Sequence, residues 1–528
     1  MKKITSIIVV VFLVLAYLNY RHLDIGFLSN YSIDEYAFHG SLLKMYKGLT
    51  TLDIKQLFAY SFYSYGFGFF FLNLLAVAPF IANDNIELSI YIPRIITSLF
   101  AVGSLFYIYK IGLLYVNKYS SILISIVVLT MPGFWKNALW FHPDWMMTFF
   151  IVLSIYFFAK DNWRFKAYFW WSSIALGFSL GTKIQAITFL PFVFIYVFYD
   201  NIKYKNFKYV VLKVKLLLKF ISTALAVFIL TNPYLLHPTG LRVFISSFFQ
   251  NMNSNATNHG LDVKTTIGNK ITNAINFYYL ETFIFIAFIF GSLYLIRYIF
   301  VKKTKKSIMP IVSIYFLMNI IYLFLMVNKS WQHYYLTIFT TVPLILIPFI
   351  IRFNNYKYVL MVSLILLQIT THISEYNSIL TTGYHPEQEI SHVKQKELND
   401  VLIKELKGVV SQNSNVLISP YQPFEFRFLG LDYGNIVVVY GAISKEMFDL
   451  DSFLEKSNSK DTSKFKEIDF IILSKNDVYF DREKLETRVN IKEYKKSLQL
   501  IENFNKGGDL GYEKFSENKY FYLWKKKK

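Results

Sequence analysis

The chain contains no cysteine, and acidic side chains are scarce in its first 373 residues. The absence of cysteine excludes disulfide bonds, thiolate chemistry and sulfur-ligated metal sites. Residues 1–373 contain 31 Lys and Arg against 11 Asp and Glu, whereas residues 374–528 contain 24 of each. The formal charge of +20 therefore belongs entirely to the first part of the chain. Because the polar second part has no basic stripe, we expect no nucleic-acid partner.

Long apolar runs fill the first part of the chain. Hydrophobic residues make up 54% of the sequence and aromatic residues 19%, more than in ordinary soluble domains. These runs predict an all-α polytopic membrane protein with about 11 transmembrane helices. A further apolar stretch at 62–82 is predicted to be re-entrant or to lie on the membrane surface. The spans are placed at about 4–20, 91–115, 119–137, 145–160, 167–181, 184–200, 216–232, 277–300, 308–327, 335–351 and 358–373.

The positive-inside rule predicts the orientation of the spans, because Lys and Arg concentrate in loops on the cytoplasmic side. If 62–82 does not cross the membrane, every strongly basic loop falls on the same side. We therefore assign these loops to the cytoplasm, and Asp34, Glu35 and Asp144 to the outward surface. The basic loops lie near 118, 164–166, 203–215, 302–306 and 352–357.

The remainder of the chain is predicted to be a separate domain on the outward side. Short apolar runs predict strands at 415–419, 435–440 and 468–474, and helical patterns lie at about 387–409 and 481–504. This alternation is typical of a small soluble α/β domain. We therefore divide the chain into a membrane domain, 1–373, and a soluble domain, 374–528.

Two adjacent carboxylates, Asp34 and Glu35, follow the first span. Ser32-x-x-Glu35 matches a capping box, in which Glu35 bonds back to the start of a helix. Acids in a first helical turn are also stabilised by the helix dipole. Successive helix residues point about 100° apart, so only one of the two acids is expected to face a cleft. Capping by Glu35 would leave Asp34 for chemistry.

Further polar side chains lie in predicted outward loops. His142 and Asp144 share one turn, where Asp144 could simply cap the next helix. Together with Asp34 they would also allow a divalent cation, although no spacing requires a metal. Lys183 ends the turn LGTK and would either snorkel to water or bind an anion. The remaining candidates are His259 in the loop 233–276, and Lys329, His333 and Tyr334, whose loop could clamp a phosphate.

In order and sidedness these motifs resemble the GT-C class of membrane glycosyltransferases, in particular protein O-mannosyltransferases and lipid A aminoarabinose transferases. The resemblance covers about residues 1–373. It rests on Asp34-Glu35, SYGFGFFFLNLL at 64–75, Pro93-Arg94, HPDWMMTFF at 142–150, LGTK at 180–183, TNPY at 231–234, Asn258-His259-Gly260 and the loop from Lys329 to Tyr334.

The resemblance implies transfer of a sugar, of the hexosyl or mannosyl type, from a polyprenyl-phosphate or dolichyl-phosphate carrier to a glycan, lipid or protein hydroxyl. The reaction would take place on the outward face of a bacterial or archaeal plasma membrane and invert the anomeric centre. Asp34 would be the catalytic base, with Asp144 and Glu35 as neighbouring acids. No cofactor is certain, and a divalent cation stays open. The groups expected to hold the donor are Lys183, Lys329, His259, Arg94, His333 and Tyr334.

Two other functions stay open from the sequence. An O-antigen-type ligase or polymerase would use diphosphate-linked glycans, but such enzymes usually carry large outward loops between late spans. A transporter or flippase for lipid-linked sugars would place ionisable groups near mid-membrane, whereas these carboxylates lie in loops. The residues before Gly66 are Ser64 and Tyr65, where aminoarabinose transferases have a lysine. This departure argues against lipid A as the acceptor.

Overall fold

The structure, a computed structural model, describes residues 2–21, 23, 34–204, 210–257, 265–300, 307–381, 392–418, 424–431, 436–438, 468–475, 502 and 511–527. The chain folds into two compact units. The first comprises Met1–Arg21 and Tyr31–Gly383, and the second comprises His22–Asn30 and Tyr384–Lys528.

The first unit is mainly helical in its described residues. Its helices are α1 Lys2–Tyr20, α2 Asp34–Thr50, α3 Ile54–Leu57, α4 Phe67–Ala82, α5 Ile86–Leu113, α6 Lys118–Leu129, α7 Pro132–Ala138, α8 Asp144–Asp161, α9 Ala167–Thr182, α10 Leu190–Tyr204, α11 Val210–Thr231, α12 Pro238–Thr257, α13 Ile267–Thr272, α14 Thr282–Ile296, α15 Met309–Leu325, α16 Gln332–Thr341, α17 Leu346–Arg352, α18 Lys357–Thr371 and α19 Ile373–Thr381.

Four described helices are long and apolar enough to cross a membrane by themselves, and two bent pairs would each cross as one broken span. Each predicted span coincides with one of these helices or with a shorter one, so the prediction of a multi-span helical membrane protein is confirmed. Length and composition support four to six crossings. The larger number of crossings and the re-entrant path of 62–82, which contains the 16-residue helix α4, stay predictions. The four long helices are Ile86–Leu113, Val210–Thr231, Thr282–Ile299 and Gln332–Arg352.

The two bent pairs are α6 with α7, at 69°, and α18 with α19, at 61°. Pro132 opens α7 and has no N–H with which to continue α6. The carbonyl of Thr130, freed at this break, accepts a hydrogen bond of 3.0 Å from Nε2 of Gln368 in α18. Beyond the breaks, the ammonium of Lys136 in α7 pairs with Glu375 in α19. These contacts fix α7, which leads directly into the turn at 139–143.

The second unit contains α20 His392–Leu406 and a five-stranded mixed sheet. The strand order is β2-β1-β3-β5-β4, with β1 parallel to β2 and β3, and β5 antiparallel to β3 and β4. The three predicted strands and the first predicted helix are confirmed, the last two strands were not predicted, and the helix at 481–504 lies outside the described residues. The strands are β1 Val416–Ile418, β2 Ile436–Val438, β3 Phe470–Ser474, β4 Tyr512–Glu517 and β5 Phe521–Lys526.

Candidate active site

His142 lies between the carboxylates of Asp34 and Asp144. Its Nε2 is 3.4 Å from Oδ2 of Asp34, and its Nδ1 contacts Oδ2 of Asp144. Asp34 is the first residue of α2 and Asp144 is the first residue of α8, positions that a helix dipole favours for an acid. The side chain of Asp34 is 38% exposed, whereas those of His142 and Asp144 are fully buried. A substrate can therefore reach the carboxylate of Asp34 but not that of Asp144.

Glu35 belongs to the packing beneath this site. Its two carboxylate oxygens accept hydrogen bonds of 2.9 and 3.0 Å from the guanidinium of Arg94, and Oε1 also accepts one of 2.6 Å from the N–H of Phe141. Neither charged side chain is exposed. The pair joins the start of α2 to α5 and to the backbone just before His142. This geometry favours a supporting role over the predicted roles of Glu35 as a catalytic acid and of Arg94 as a phosphate ligand.

Lys183 is the cation that contacts the buried acid. Its Nζ donates a hydrogen bond of 2.8 Å to Oδ1 of Asp144. The ammonium also lies 5.2 Å from the ring centroid of Tyr65 and 5.7 Å from that of Tyr334, within the range of cation–π attraction. The backbones of Tyr65 and Lys183 form an isolated antiparallel bridge. The SYG and GTK segments therefore lie side by side and hold the ammonium next to the site.

Two glycines and an asparagine allow this close approach. A Cβ atom on Gly66 would lie 1.5 Å from the carbonyl oxygen of Gly181, so only glycine fits there. The side chain of Asn232 accepts a hydrogen bond of 2.8 Å from the N–H of Phe67 and donates one of 3.3 Å to the carbonyl of Gly181. Asn232 therefore ties the start of α4 to the turn that carries Lys183, which gives the TNPY segment a structural role.

Lys329 and Tyr334 lie against the end of α12. Nζ of Lys329 donates a hydrogen bond of 2.7 Å to Oγ of Ser254, and the hydroxyl of Tyr334 donates one of 3.0 Å to Oδ1 of Asn255. Lys329 is buried. The end of α12 thus fixes the positions of both predicted phosphate ligands. His259, which follows α12, lies outside the described residues.

Aromatic rings enclose the imidazole of His142. Trp140 stacks on it at a centroid distance of 4.9 Å and an angle of 24°, and the ring of His333 lies 4.8 Å away. Phe38 and Tyr65 complete the enclosure at 5.4 and 5.6 Å. Nε1 of Trp140 and Nδ1 of His333 are buried and make no hydrogen bond to any described residue. These two nitrogens therefore have hydrogen-bonding capacity that no described residue uses.

The charges of the site act on one another's pKa values. Burial raises the pKa of Asp34, but the hydrogen bond and charge of His142, with the charges of His333 and Lys183, outweigh it, so that this pKa lies below its ordinary value. Asp34 is therefore ionised at neutral pH. Burial lowers the pKa of His142, but the two carboxylates outweigh it and the net shift is upward. Burial lowers the pKa of Lys329 to about 8.

The structure thus brings most of the predicted site residues together, around a histidine to which the sequence pattern assigns no catalytic role. The sequence suggests His142 only as a metal ligand. Its position two residues before Asp144, in the turn between α7 and α8, is the signal that could have identified it as the centre. The residues brought together with it are Asp34, Asp144, Lys183, His333 and Tyr334.

The same cluster contains a set of side chains that could hold a metal ion. Ligand atoms of His142, Asp144 and His333 lie within 4.8 Å of one another, and all three residues are buried. Two imidazoles and a carboxylate are a donor set that suits zinc and other divalent cations, and the unpaired Nδ1 of His333 is consistent with such a ligand. A cation held there would add positive charge beside a phosphate, in addition to that of Lys183.

Solved structures share this architecture. ArnT from Cupriavidus metallidurans, bound to undecaprenyl phosphate, aligns over 98% of this chain and 98% of its own length, with a TM-score of 0.60 and 8% sequence identity. This chain has the ArnT fold. AglB from Archaeoglobus fulgidus, in complex with an inhibitory peptide and a dolichol-phosphate, aligns over 88% of this chain and 69% of its own, with a TM-score of 0.52 and 12% identity.

A second structure from A. fulgidus, its oligosaccharyltransferase in complex with Zn and sulfate, aligns over 88% of this chain and 68% of its own length, with a TM-score of 0.53 and 12% identity. No protein-family model and no curated protein sequence matches the chain. The predicted GT-C resemblance is confirmed for the fold: a multi-span helical membrane domain is followed by a small mixed sheet. At such low identity the reaction has to be argued from the site itself.

Proposed function

We propose that this chain is a membrane glycosyltransferase that moves a sugar from a polyprenyl-phosphate carrier to a hydroxyl of a glycan, lipid or protein. The observation that carries the proposal is the asymmetric pair of carboxylates around His142, one accessible and one buried, with two lysines nearby. Likeness of fold to ArnT, bound to undecaprenyl phosphate, and to AglB, bound to dolichol-phosphate, supports a donor of this class.

Asp34 acts as the general base. The acceptor oxygen attacks the anomeric carbon of the donor sugar while the bond from that carbon to the phosphate oxygen breaks. The hydroxyl proton passes to the carboxylate of Asp34, which is ionised at neutral pH and accessible. A base in this position contributes a factor of about 10²–10⁴ to the rate. Attack opposite the leaving phosphate inverts the anomeric centre, as the GT-C resemblance implies.

The leaving lipid phosphate takes the electron pair of the broken bond and gains negative charge. Cations placed where this charge develops stabilise the transition state more than the ground state. Among the described residues, the ammonium groups of Lys183 and Lys329 act on the charge of Asp34. Nε1 of Trp140 and Nδ1 of His333 are further buried atoms at the site with unused hydrogen-bonding capacity. A divalent cation bound by His142, Asp144 and His333 would take the place of the proton on His142 and supply positive charge beside the phosphate.

Asp144 and His142 position the base. Asp144 is shielded from substrate and binds both Lys183 and the imidazole of His142. Although burial lowers the pKa of this imidazole, the two carboxylates raise it overall and so favour its positively charged form between them. This charge keeps Asp34 ionised before the reaction and fixes its orientation. Loss of Asp144 would therefore disturb both the base and the phosphate-binding lysine.

The placement of the acids argues against a transporter. Asp34 and Asp144 are the first residues of α2 and α8, at helix starts. Transporters place such groups near the middle of the membrane, at interrupted helices.

We further infer from the distribution of basic loops that the site opens to the outward side, where a sugar carried on a lipid, rather than on a nucleotide, is the available donor.

The decisive experiment compares Asp34→Asn with Asp53→Asn. Asp53 is also an acid after α2, but it only caps α3 through a hydrogen bond of 3.1 Å from the N–H of Gln56, a role that asparagine retains. Each variant is returned to cells that lack the protein, and their glycolipids and glycoproteins are analysed by mass spectrometry. We expect Asp34→Asn to abolish the transferred sugar with normal membrane insertion, and Asp53→Asn to restore it. Full activity of Asp34→Asn would refute this base.

A further inference from the structure

An apolar groove runs between α14, α17 and α18, and belongs to no part of the site. Its volume is about 460 Å³. Ala287, Gly291 and Tyr294 line it from α14, with Phe349 from α17 and Leu364 from α18. Among these lining residues, only Tyr294, at one end of the groove, has a polar side-chain group, its phenol hydroxyl. A second, smaller groove that includes Lys357 adjoins it along Leu346, Phe349 and Leu364.

A basic cluster closes the polar end of this groove. The guanidinium carbon of Arg297 lies 4.0 Å from the ring centroid of Tyr294, and that of Arg352 lies 5.8 Å from the same centroid. Arg352 also donates a hydrogen bond to the hydroxyl of Tyr294, which is 2.9 Å from the hydroxyl of Tyr298. Two guanidiniums and two phenols therefore form one connected polar group at the mouth of an apolar channel.

The positive charge of this cluster is not neutralised within the described part of the chain. Neither arginine has a carboxylate partner among the described residues, and the sequence contains no Asp or Glu between Glu281 and Glu375. Two like charges that share one aromatic ring repel each other. An anion between them would remove that repulsion, and arginine binds the oxygens of a phosphate with particularly good geometry.

The cluster lies at the other end of the membrane domain from the site. His333 is near the start of the apolar helix Gln332–Arg352, and Arg352 is its last residue. A helix of 21 residues is about 30 Å long, the thickness of a bilayer core. The groove therefore opens at the opposite membrane surface, where it cannot serve the sugar-transfer site.

We propose that this groove binds one anionic phospholipid, with an acyl chain in the apolar channel and its phosphate on Arg297 and Arg352. An apolar channel with a basic end matches the two halves of such a lipid, whereas a zwitterionic lipid would bring its own cation towards the arginines. Basic pockets between transmembrane helices are known to suit anionic headgroups. Charge near the headgroup region favours anionic lipid by roughly 30-fold for two basic residues.

Native mass spectrometry of the purified full-length protein, with phosphatidylglycerol and phosphatidylcholine added in competition, tests the proposal. Wild type should retain phosphatidylglycerol preferentially, and Arg297→Gln/Arg352→Gln should lose most of that preference. The matched control is Arg164→Gln/Lys166→Gln, in the exposed turn after α8, which removes the same charge away from the groove. Equal retention of both lipids by wild type, or an equal loss in the control, would overturn the proposal.

A second variant tests the groove with its charges intact. Ala287→Phe fills the channel and should reduce phosphatidylglycerol retention while leaving Arg297 and Arg352 in place. Unchanged retention by Ala287→Phe would mean that the lipid lies elsewhere. Displacement of the lipid by inorganic phosphate alone would mean that the arginines bind a soluble anion instead. Because no readout uses sugar transfer, a failure here leaves the proposed function untouched.

Discussion

Replacement of Glu35 by glutamine tests whether this acid supports the structure or takes part in catalysis. The carboxylate makes two hydrogen bonds with Arg94 and one with the N–H of Phe141, and all the charge is buried. In Glu35→Gln the guanidinium of Arg94 loses its counter-charge in a site without solvent. Breaking a buried pair in this way costs about 3–5 kcal/mol, a large part of the stability of a typical domain. We therefore expect a clear loss of thermal stability.

A double-mutant cycle shows whether the buried charge is the cause. Glu35→Gln/Arg94→Met removes both charges of this pair, and its glutamine carbonyl can still accept from the N–H of Phe141. We expect this variant to recover most of the stability that each single change loses, because apolar replacement of a buried ion pair is often neutral. Apparent melting temperatures, measured by fluorescence-detected size-exclusion chromatography in one detergent, give the ranking. Asp53→Asn, which retains the cap of α3, serves as the control that should melt like wild type.

Two outcomes would refute this reasoning. If Glu35→Gln melts at the wild-type temperature but loses sugar transfer, Glu35 is a catalytic group and not a supporting one. If the double variant is no more stable than the single variants, the unpaired charge of Arg94 is not the cause of the instability of Glu35→Gln.

Three further predictions concern the cations, the glycine turn and the orientation. The kcat/KM for the donor should fall as the pH rises through about 8, because the ammonium of Lys329 loses its proton; Lys329→Arg should shift the fall upward, and an unchanged profile would contradict this. Gly181→Ala should lower melting temperature and transfer, because its Cβ would lie 2.0 Å from a threonine hydroxyl; Gly268→Ala, with no heavy atom nearer than 3.9 Å, is the matched control. In this cysteine-free chain, Asn83→Cys should react with an impermeant maleimide on intact cells, and Asn355→Cys only after permeabilisation; both positions are exposed, and the opposite pattern would reverse the orientation.

The helices of the membrane domain could be predicted because long apolar runs have few alternatives. The last two strands could not. β4 reads YEKFSE and is mostly exposed, so it has neither an apolar run nor a clear alternation. β5 has buried residues at 521, 523 and 524, but it ends in the two lysines 525 and 526. β4 pairs with the adjacent strand β5, and β5 joins the sheet by antiparallel pairing with β3, which is distant in sequence. No local rule detects that distant contact.

The candidate site could likewise be predicted from the sequence only in part. Local pattern explains why Asp34, Glu35 and Asp144 lie at helix starts, and it predicts that one member of the adjacent pair faces away from the cleft. It offers a local partner for Glu35 in the capping box, whose Ser32 lies outside the described residues. The partner that the structure provides is Arg94, 59 positions away. Only tertiary packing brings that guanidinium beneath α2. The different roles of Asp34 and Glu35 could therefore be predicted from the sequence, but the ion pair that causes the difference could not.

Lys329 differs from the other cations near the site, and the difference connects structure to donor binding. Lys183 and Arg94 each pair with a buried carboxylate. Lys329 donates instead to the neutral hydroxyl of Ser254, and burial lowers its pKa to about 8 although the charge of Asp34 opposes that shift. A phosphate that binds beside Lys329 would restore the counter-charge and raise this pKa. Protonation and donor binding are therefore linked: each favours the other, so donor affinity should weaken above pH 8 while the binding of a neutral acceptor should not.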